Sequence, residues 1–315
     1  LFRSGNVSVT STTAASMSSH LTYIANYTGG MIGRVGNMGS GMIFNGDLTL
    51  TNLSTSGNVS GYSGVGGLVG YSYVAGGTAG ANVFSNLSAT GNITGYGSNA
   101  LVSVSGLNPI FQSTGLGGLF AASEGAKAGQ IQNSFYSGDI FSNGGGYIGG
   151  LVGAARGQIS NSYATGTITL PSTSFSGSYG VTAIGGLVGY LGGNSVASGV
   201  SGGSYSNVSI TMGATTPLYA GAVGGAVGYM ASGTGGGIVA VNDIYALGNI
   251  QITSAVQITG GSGYNTIYIG GLVGNAPLSA ALTGTASVQG TTLTVSGNLL
   301  ISSSISNYLG VGSLV

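Results

Sequence analysis

Short runs in which aliphatic residues alternate with serine, threonine or asparagine recur along the chain. They include Asn6 to Thr12 (NVSVTST), Asp47 to Leu53 (DLTLTNL), Thr167 to Leu170 (TITL), Asn249 to Ile258 (NIQITSAVQI) and Thr291 to Ser302 (TTLTVSGNLLIS). A period of two gives each run one buried and one exposed side, the mark of a half-buried strand. Helix signals are almost absent. The helix formers Glu, Lys, Arg and Gln are scarce, and glycine costs about 1 kcal/mol at an interior helix position.

The runs are set between glycine marks that repeat. GGMIG begins at Gly29, GGLVG at Gly66, Gly149, Gly185 and Gly270, GGLFA at Gly117 and GGAVG at Gly224. A truncated relative, GSLV, begins at Gly312. The start-to-start spacing runs from 32 to 51 residues. A second mark follows each first: a half-apolar run, a glycine, a small polar residue and an aliphatic. It reads LSTSGNVS from Leu53, LSATGNIT from Leu87, FYSGDIF from Phe135, YATGTIT from Tyr163, YALGNIQI from Tyr245 and TVSGNLLI from Thr294. The unit from Gly202 to Gly213 is degenerate and lacks the central glycine. A phosphate-cradling loop needs one glycine turn between one strand and one helix, whereas a repeat architecture needs many copies.

Short strands, glycine turns and a repeat of this length predict an all-β fold, a parallel β-solenoid (β-helix) with irregular glycine-rich coils, running as one domain over 1–315 in about seven to eight repeats. The crossover preference of parallel strands makes it right-handed. Three strands per coil are expected: GGLVG opening one face, the I-x-N-S-Y-A segment a second and the strand after TG a third. Corner glycines would supply φ > 0 without steric cost. Aliphatic side chains of GGLVG and GTIT would stack on their equivalents about 4.8 Å away.

Composition changes the picture in two respects. Charged residues are 3% of the chain, with four Lys/Arg, four Asp/Glu and zero net charge, against about 25% charged in ordinary domains. No basic cluster is present, so neither a nucleic-acid partner nor an anionic membrane surface is indicated. No apolar run reaches the length of a membrane-spanning helix. Hydrophobic residues are nonetheless 42%, with mean hydropathy +0.43, which suits a buried core and not disorder. In stacked coils, equivalent side chains form rows. A repeated charge would repel its own copies, while Ser, Thr and Asn can hydrogen-bond along the row. Compositional bias of the repeat accounts for the low charge equally well. Cysteine is absent, which removes disulfides and typical zinc sites, and no cofactor is indicated.

The stretch from Gly149 to Thr169, GGLVGAARGQISNSYATGTIT, resembles the GLUG motif of bacterial surface proteins of the adhesin and filamentous-haemagglutinin-like kind. Gly117 to Phe141 is a looser copy, and other copies keep the GGLVG half. The resemblance implies an exported β-helical protein of the cell surface or extracellular space. It carries no catalytic residues to transfer.

The candidate sites are sparse. Glycan-processing chemistry needs converging carboxylates, and the acids are Asp47, Glu124, Asp139 and Asp243. Asp139 stands in the slot held by Asn92 and Thr167 in other units, so it reads as a turn residue. Asp47 and Asp243 read likewise. Glu124 and Lys127 read as a local surface ion pair. His20, the only histidine, has no acid or cysteine near it in sequence. No cluster of oxygen ligands suggests calcium. Tyr71, Tyr190 and Tyr229 each follow a GG-x-V-G unit directly, and in-register coils would align them. They form either an aromatic strip for sugar stacking or lateral packing, or plain cross-coil packing, the latter favoured. Sequons for N-glycosylation occur at Asn6, Asn26, Asn52, Asn58, Asn86, Asn92 and Asn207; several belong to the repeat's own GN-[VI]-[ST] form, and occupancy depends on the source.

The chain opens in mid-unit with RSGNVSVT from Arg3 and closes in mid-unit with YLGVGSLV from Tyr308. These ends fit either a window cut from a longer solenoid or head-to-tail stacking into an open filament. The expected function is a non-enzymatic extracellular structural or adhesive rod, partnered by further copies of itself or by cell-surface glycans. The alternative is a carbohydrate-binding or polysaccharide-processing β-helix.

Overall fold

The computed structural model describes residues 7–8, 27–36, 48–61, 64–74, 82–96, 115–125, 129–143, 146–170, 182–192, 197–212, 221–231, 239–252, 257–258, 266–276, 281–283, 287–288, 293–295, 300–301 and 308–312. His20, Asp47, Lys127, Asn6 and Asn26 lie outside them. Among the described residues every strand pairing is parallel and joins one repeat to the next. The described chain is all β, a parallel β-solenoid.

One coil carries four faces, not three. In the coil that begins at Tyr147 they are Tyr147–Gly149, Val152–Ala155, Gly157–Ser160 and Tyr163–Leu170. They belong to sheets of eight, seven, seven and thirteen strands, called here the first to fourth faces. The thirteen-stranded sheet is large because several coils cross it as two short strands, such as Phe135–Ser137 and Ile140–Ser142, where the Tyr163 coil uses one. GGLVG is not a face. It straddles the corner between the first face and the second, which is why the expected number of faces was one too few.

The core is a column of rows, each one residue deep per coil. Leu68, Leu119, Leu151, Leu187, Ala226 and Leu272 of the corner are fully buried. Their backbones are joined by N–H to carbonyl bonds of 2.8–3.1 Å along the axis. Val69, Phe120, Val152, Val188, Val227 and Val273 line the second face, and Phe84, Ile131, Ile159, Val200 and Val241 the third. Val59, Ile93, Ile140, Ile168, Ile210 and Ile250 line the fourth. Such side chains in register exclude water from the inner side of the ladders.

Gly64, Gly146, Gly157 and Gly166 have the positive φ expected of turn glycines, but the GGLVG glycines do a different job. None of the GGLVG glycines has positive φ. A Cβ on the first, as at Gly149, would fall on the carbonyl oxygen of Val152 across the corner. A Cβ on the second, Gly150, would fall on the carbonyl of its equivalent Gly186 one coil away, and 2.9 Å from the Cβ of Ala164. The corner is therefore tight because backbone meets backbone there. Position 164 is small in turn, and so is its row in every one of these coils but one: Ala89, Ala164, Ser206 and Ala246, with Tyr136 as the exception. The two halves of the repeat, GG and ATG, are the two sides of one contact across the core.

The left-handed corner falls to asparagine, between the third and fourth faces. Asn52, Asn86, Asn133, Asn161 and Asp243 have φ between 47° and 57°. Asn and Asp tolerate this region better than other side-chain-bearing residues. Between Asn161 and Asp243 the chain has Gly202 and Gly203, at φ 67° and 72°, one extra residue at the same corner. The other two corners vary. Between the second and third faces the chain passes from Ala155 to Gly157 in one coil but from Ala231 to Val239 in another. Between the fourth and first it passes from Ser142 to Tyr147 in one coil and from Gly95 to Gly115 in another.

Candidate functional surface

Three polar or aromatic rows follow the third-to-fourth corner and the fourth face. The first is serine. Ser134, Ser162 and Ser204 are buried directly after the left-handed corner. The backbone N–H of Leu87, Ser134 and Ser162 each donates to the serine hydroxyl one coil on, at 3.1–3.2 Å. Each hydroxyl donates back to a carbonyl of its own coil, at 2.7, 2.8 and 2.6 Å respectively. Strand pairing breaks at this corner, and the serines satisfy the groups it would leave buried and unpaired.

The second row is the GN turn. The Asn92 N–H donates to Oδ1 of Asn58 at 2.8 Å and the Asp139 N–H to Oδ1 of Asn92 at 3.1 Å. The N–H and hydroxyl of Thr167 both donate to Oδ1 of Asp139, at 3.0 and 2.8 Å. Asp139 is thus one rung of a row that runs through Asn58 and Asn92 on one side and Thr167 on the other. Asp243 occupies the left-handed corner. Glu124 pairs through its backbone with Tyr73. Among the described residues no group of three or more His, Cys, Asp or Glu is placed to hold a metal ion.

The third row is aromatic. Phe135, Tyr163, Tyr205 and Tyr245 are in direct register on successive strands. All four are half-buried. The rings of Phe135 and Tyr163 stack at 5.1 Å and 5°, and those of Tyr163 and Tyr205 at 4.9 Å and 2°. Burial first, and then the neighbouring Tyr163 phenol, raises the Tyr205 phenol above its ordinary value. This row was missed in the sequence, although it heads FYSGDIF, YATGTIT and YALGNIQI. The signal was an aromatic directly before the small core slot.

The tyrosines singled out from the sequence lie elsewhere. Tyr71, Tyr190 and Tyr229 do share one row, on the second face, but Ala122 and Ala154 stand between Tyr71 and Tyr190. Tyr71 and Tyr190 are each only 4% exposed. Tyr71 stacks on Tyr27 at 4.5 Å, and Tyr190 meets Tyr147 at 4.6 Å and Tyr229 at 5.8 Å. Of the two readings of these three, cross-coil packing, the favoured one, fits their places over the small residues beside the GG corner, and the surface strip does not. Val188 and Leu191 both enter the core although three apart. The pleat slips at Gly189 and turns Tyr190 out of the aliphatic column into this second cluster.

The five described sequon asparagines, Asn52, Asn58, Asn86, Asn92 and Asn207, are exposed. Asn86 donates from Nδ2 to Oδ1 of Asn52 at 3.0 Å, and Asn58 and Asn92 serve the GN turn. Four of the five thus have a structural task.

The class defined by these rows is a parallel β-solenoid whose polar and aromatic side chains run as axial ladders. Within it, residues 144–169 match the model of the GLUG motif. The matched segment begins just before the first face of the Tyr147 coil and ends on its fourth, so the motif is one turn of the solenoid. No curated protein and no solved structure matches the chain.

Proposed function

We propose that the protein is a non-enzymatic structural element of the extracellular space or cell surface, a stiff β-helical body that serves in a fibre or a larger adhesin. The observation that carries this reading is that the polar groups of the fourth face and its corner bind the next coil. Serine hydroxyls, asparagine amides and the Asp139 carboxylate all accept from a neighbouring coil's backbone. Groups held in this way stiffen the stack and are not aimed at a common point where a substrate would sit. A solenoid exposes strand edges wherever its stack stops, and pairing with a further copy covers them. With 3% charged residues, little repulsion opposes that contact. The carbohydrate-binding alternative loses its first motive with Tyr71 and Tyr190 buried. The aromatic row of the fourth face does not replace it, because Tyr163 lies stacked between Phe135 and Tyr205 and offers a sugar no free ring face.

Electron microscopy of the native material, with mass spectrometry on the same sample, tests this. Filaments, or rods within a longer polypeptide, are expected. Dispersed single particles at high concentration, together with turnover of a polysaccharide, would overturn it.

A further inference from the structure

We propose that Tyr163, Tyr205 and Tyr245 form a site of oxidative coupling, where a one-electron oxidant joins the tyrosine rings of adjacent coils through a carbon–carbon bond. The geometry is particular to this row. Tyr163 and Tyr205 are parallel to within 2° with ring centroids 4.9 Å apart, and Tyr245 follows Tyr205 in register. Strand pairing holds the backbones of all three at matching heights, and the parallel rings of Tyr163 and Tyr205 lie face to face. The rings are half-buried: they keep an edge open to oxidant and water while their faces stay together.

Among the described residues the tyrosines paired elsewhere lack one or more of these conditions. Tyr147 and Tyr190 are 8% and 4% exposed and inclined by 31°. Tyr190 and Tyr229 are 5.8 Å apart. Tyr71, beside Tyr27, is 4% exposed. Tyr136 is deep in the core, its hydroxyl 3.1 Å from two carbonyl oxygens. Phe135 ends the row without a phenol. Tyr96 and Tyr268 are exposed, and Tyr268 is in register with Ala222 and Gly310 instead of a second ring.

The chemistry balances with a peroxide as co-reactant. Each of two phenols gives up one hydrogen atom, and hydrogen peroxide, its O–O bond broken, leaves as two waters. The two phenoxyl radicals pair at the carbons ortho to oxygen. Each coupled carbon then loses its proton, the rings become aromatic again and both oxygens regain a proton. The net change is the loss of two hydrogens and the gain of one covalent staple between coils.

The test treats the full chain with a haem peroxidase and hydrogen peroxide. Because only four Lys/Arg are present, a protease of broad specificity is used before mass spectrometry. The expected products are intrachain cross-links, short of two hydrogens, joining Tyr163 to Tyr205 and Tyr205 to Tyr245, with dityrosine fluorescence. Tyr205→Phe keeps the stack and abolishes both. Tyr163→Phe keeps only the second, and Tyr190→Phe changes neither. Circular dichroism confirms that each variant is folded. Oxidation of Tyr96 and Tyr268 without any cross-link in the row would overturn the proposal, as would cross-links solely between chains or a yield unchanged in Tyr205→Phe.

Discussion

Tyr136 stands in a row that neighbouring coils fill with Ala89, Ala164, Ser206 and Ala246. Its ring is accommodated because Gly118 opposite has no side chain; a Cβ there would meet the ring. Burial, reinforced by the Asp139 carboxylate, pushes this phenol far above its ordinary value. In the folded chain it stays protonated where the unfolded chain has ionised. The stability tied to that proton is therefore complete below pH about 10 and declines as pH rises further, by up to about 1.4 kcal/mol per pH unit. Tyr136→Phe is expected to cost roughly 1 kcal/mol at neutral pH for the lost hydroxyl bond. It should also flatten the alkaline limb of a denaturation midpoint against pH profile. A variant with an unchanged alkaline limb would show that other phenols govern it. The sequence could not separate this residue from its neighbour. Phe135 and Tyr136 are adjacent aromatics, and an alternating pattern tells only that they point to opposite sides. Which one enters the core depends on the row each joins.

At the level of the element, the GG corner is the most constrained part of a coil. Gly150→Ala would drive a methyl group into the Gly186 carbonyl, with Ala164 closing the other side. Overpacking against backbone leaves no side chain to move aside, so a loss of roughly 3 kcal/mol in unfolding free energy is expected. Gly203→Ala, where a Cβ meets nothing within 4 Å and only φ 72° opposes it, should cost about 1 kcal/mol. Denaturant titration of the two variants checks the ranking, and equal losses would mean the corner yields. The glycine marks were legible from the sequence as repeat punctuation, and their physical cause was not. A glycine that turns the chain and a glycine that lets two carbonyl-bearing backbones touch look alike in one dimension. The asparagines that do turn the chain were visible as the N of the NSF and NSY segments at Asn133 and Asn161 and as sequons at Asn52 and Asn86, without a sign of their backbone task.

At the level of the molecule, parallel stacking was legible because the same marks recur with variable spacing between them. The number of faces was not, since the GGLVG segment reads as one strand while its backbone bends in the middle. The stack relies on aliphatic burial and on neutral hydrogen-bonded rows. Its stability should therefore be nearly indifferent to ionic strength. Raising salt from about 0.01 to about 0.15 M shortens the Debye length from about 30 to about 8 Å. The unfolding free energy is expected to move by less than about 0.5 kcal/mol, and a larger shift would reveal a charge network that contributes to the stack.

Two corners of the coil vary little, one held by touching backbones and one by a left-handed asparagine or glycine; the other two join their faces by segments of very different length. Growth in residue number and growth in axial length are thereby uncoupled. Insertions at the permissive corners add mass and surface to the flank of the body without altering the rise from coil to coil, and only duplication of a complete turn lengthens it. Descendants of such a sequence can therefore diversify what they display sideways while the distance they span stays constant.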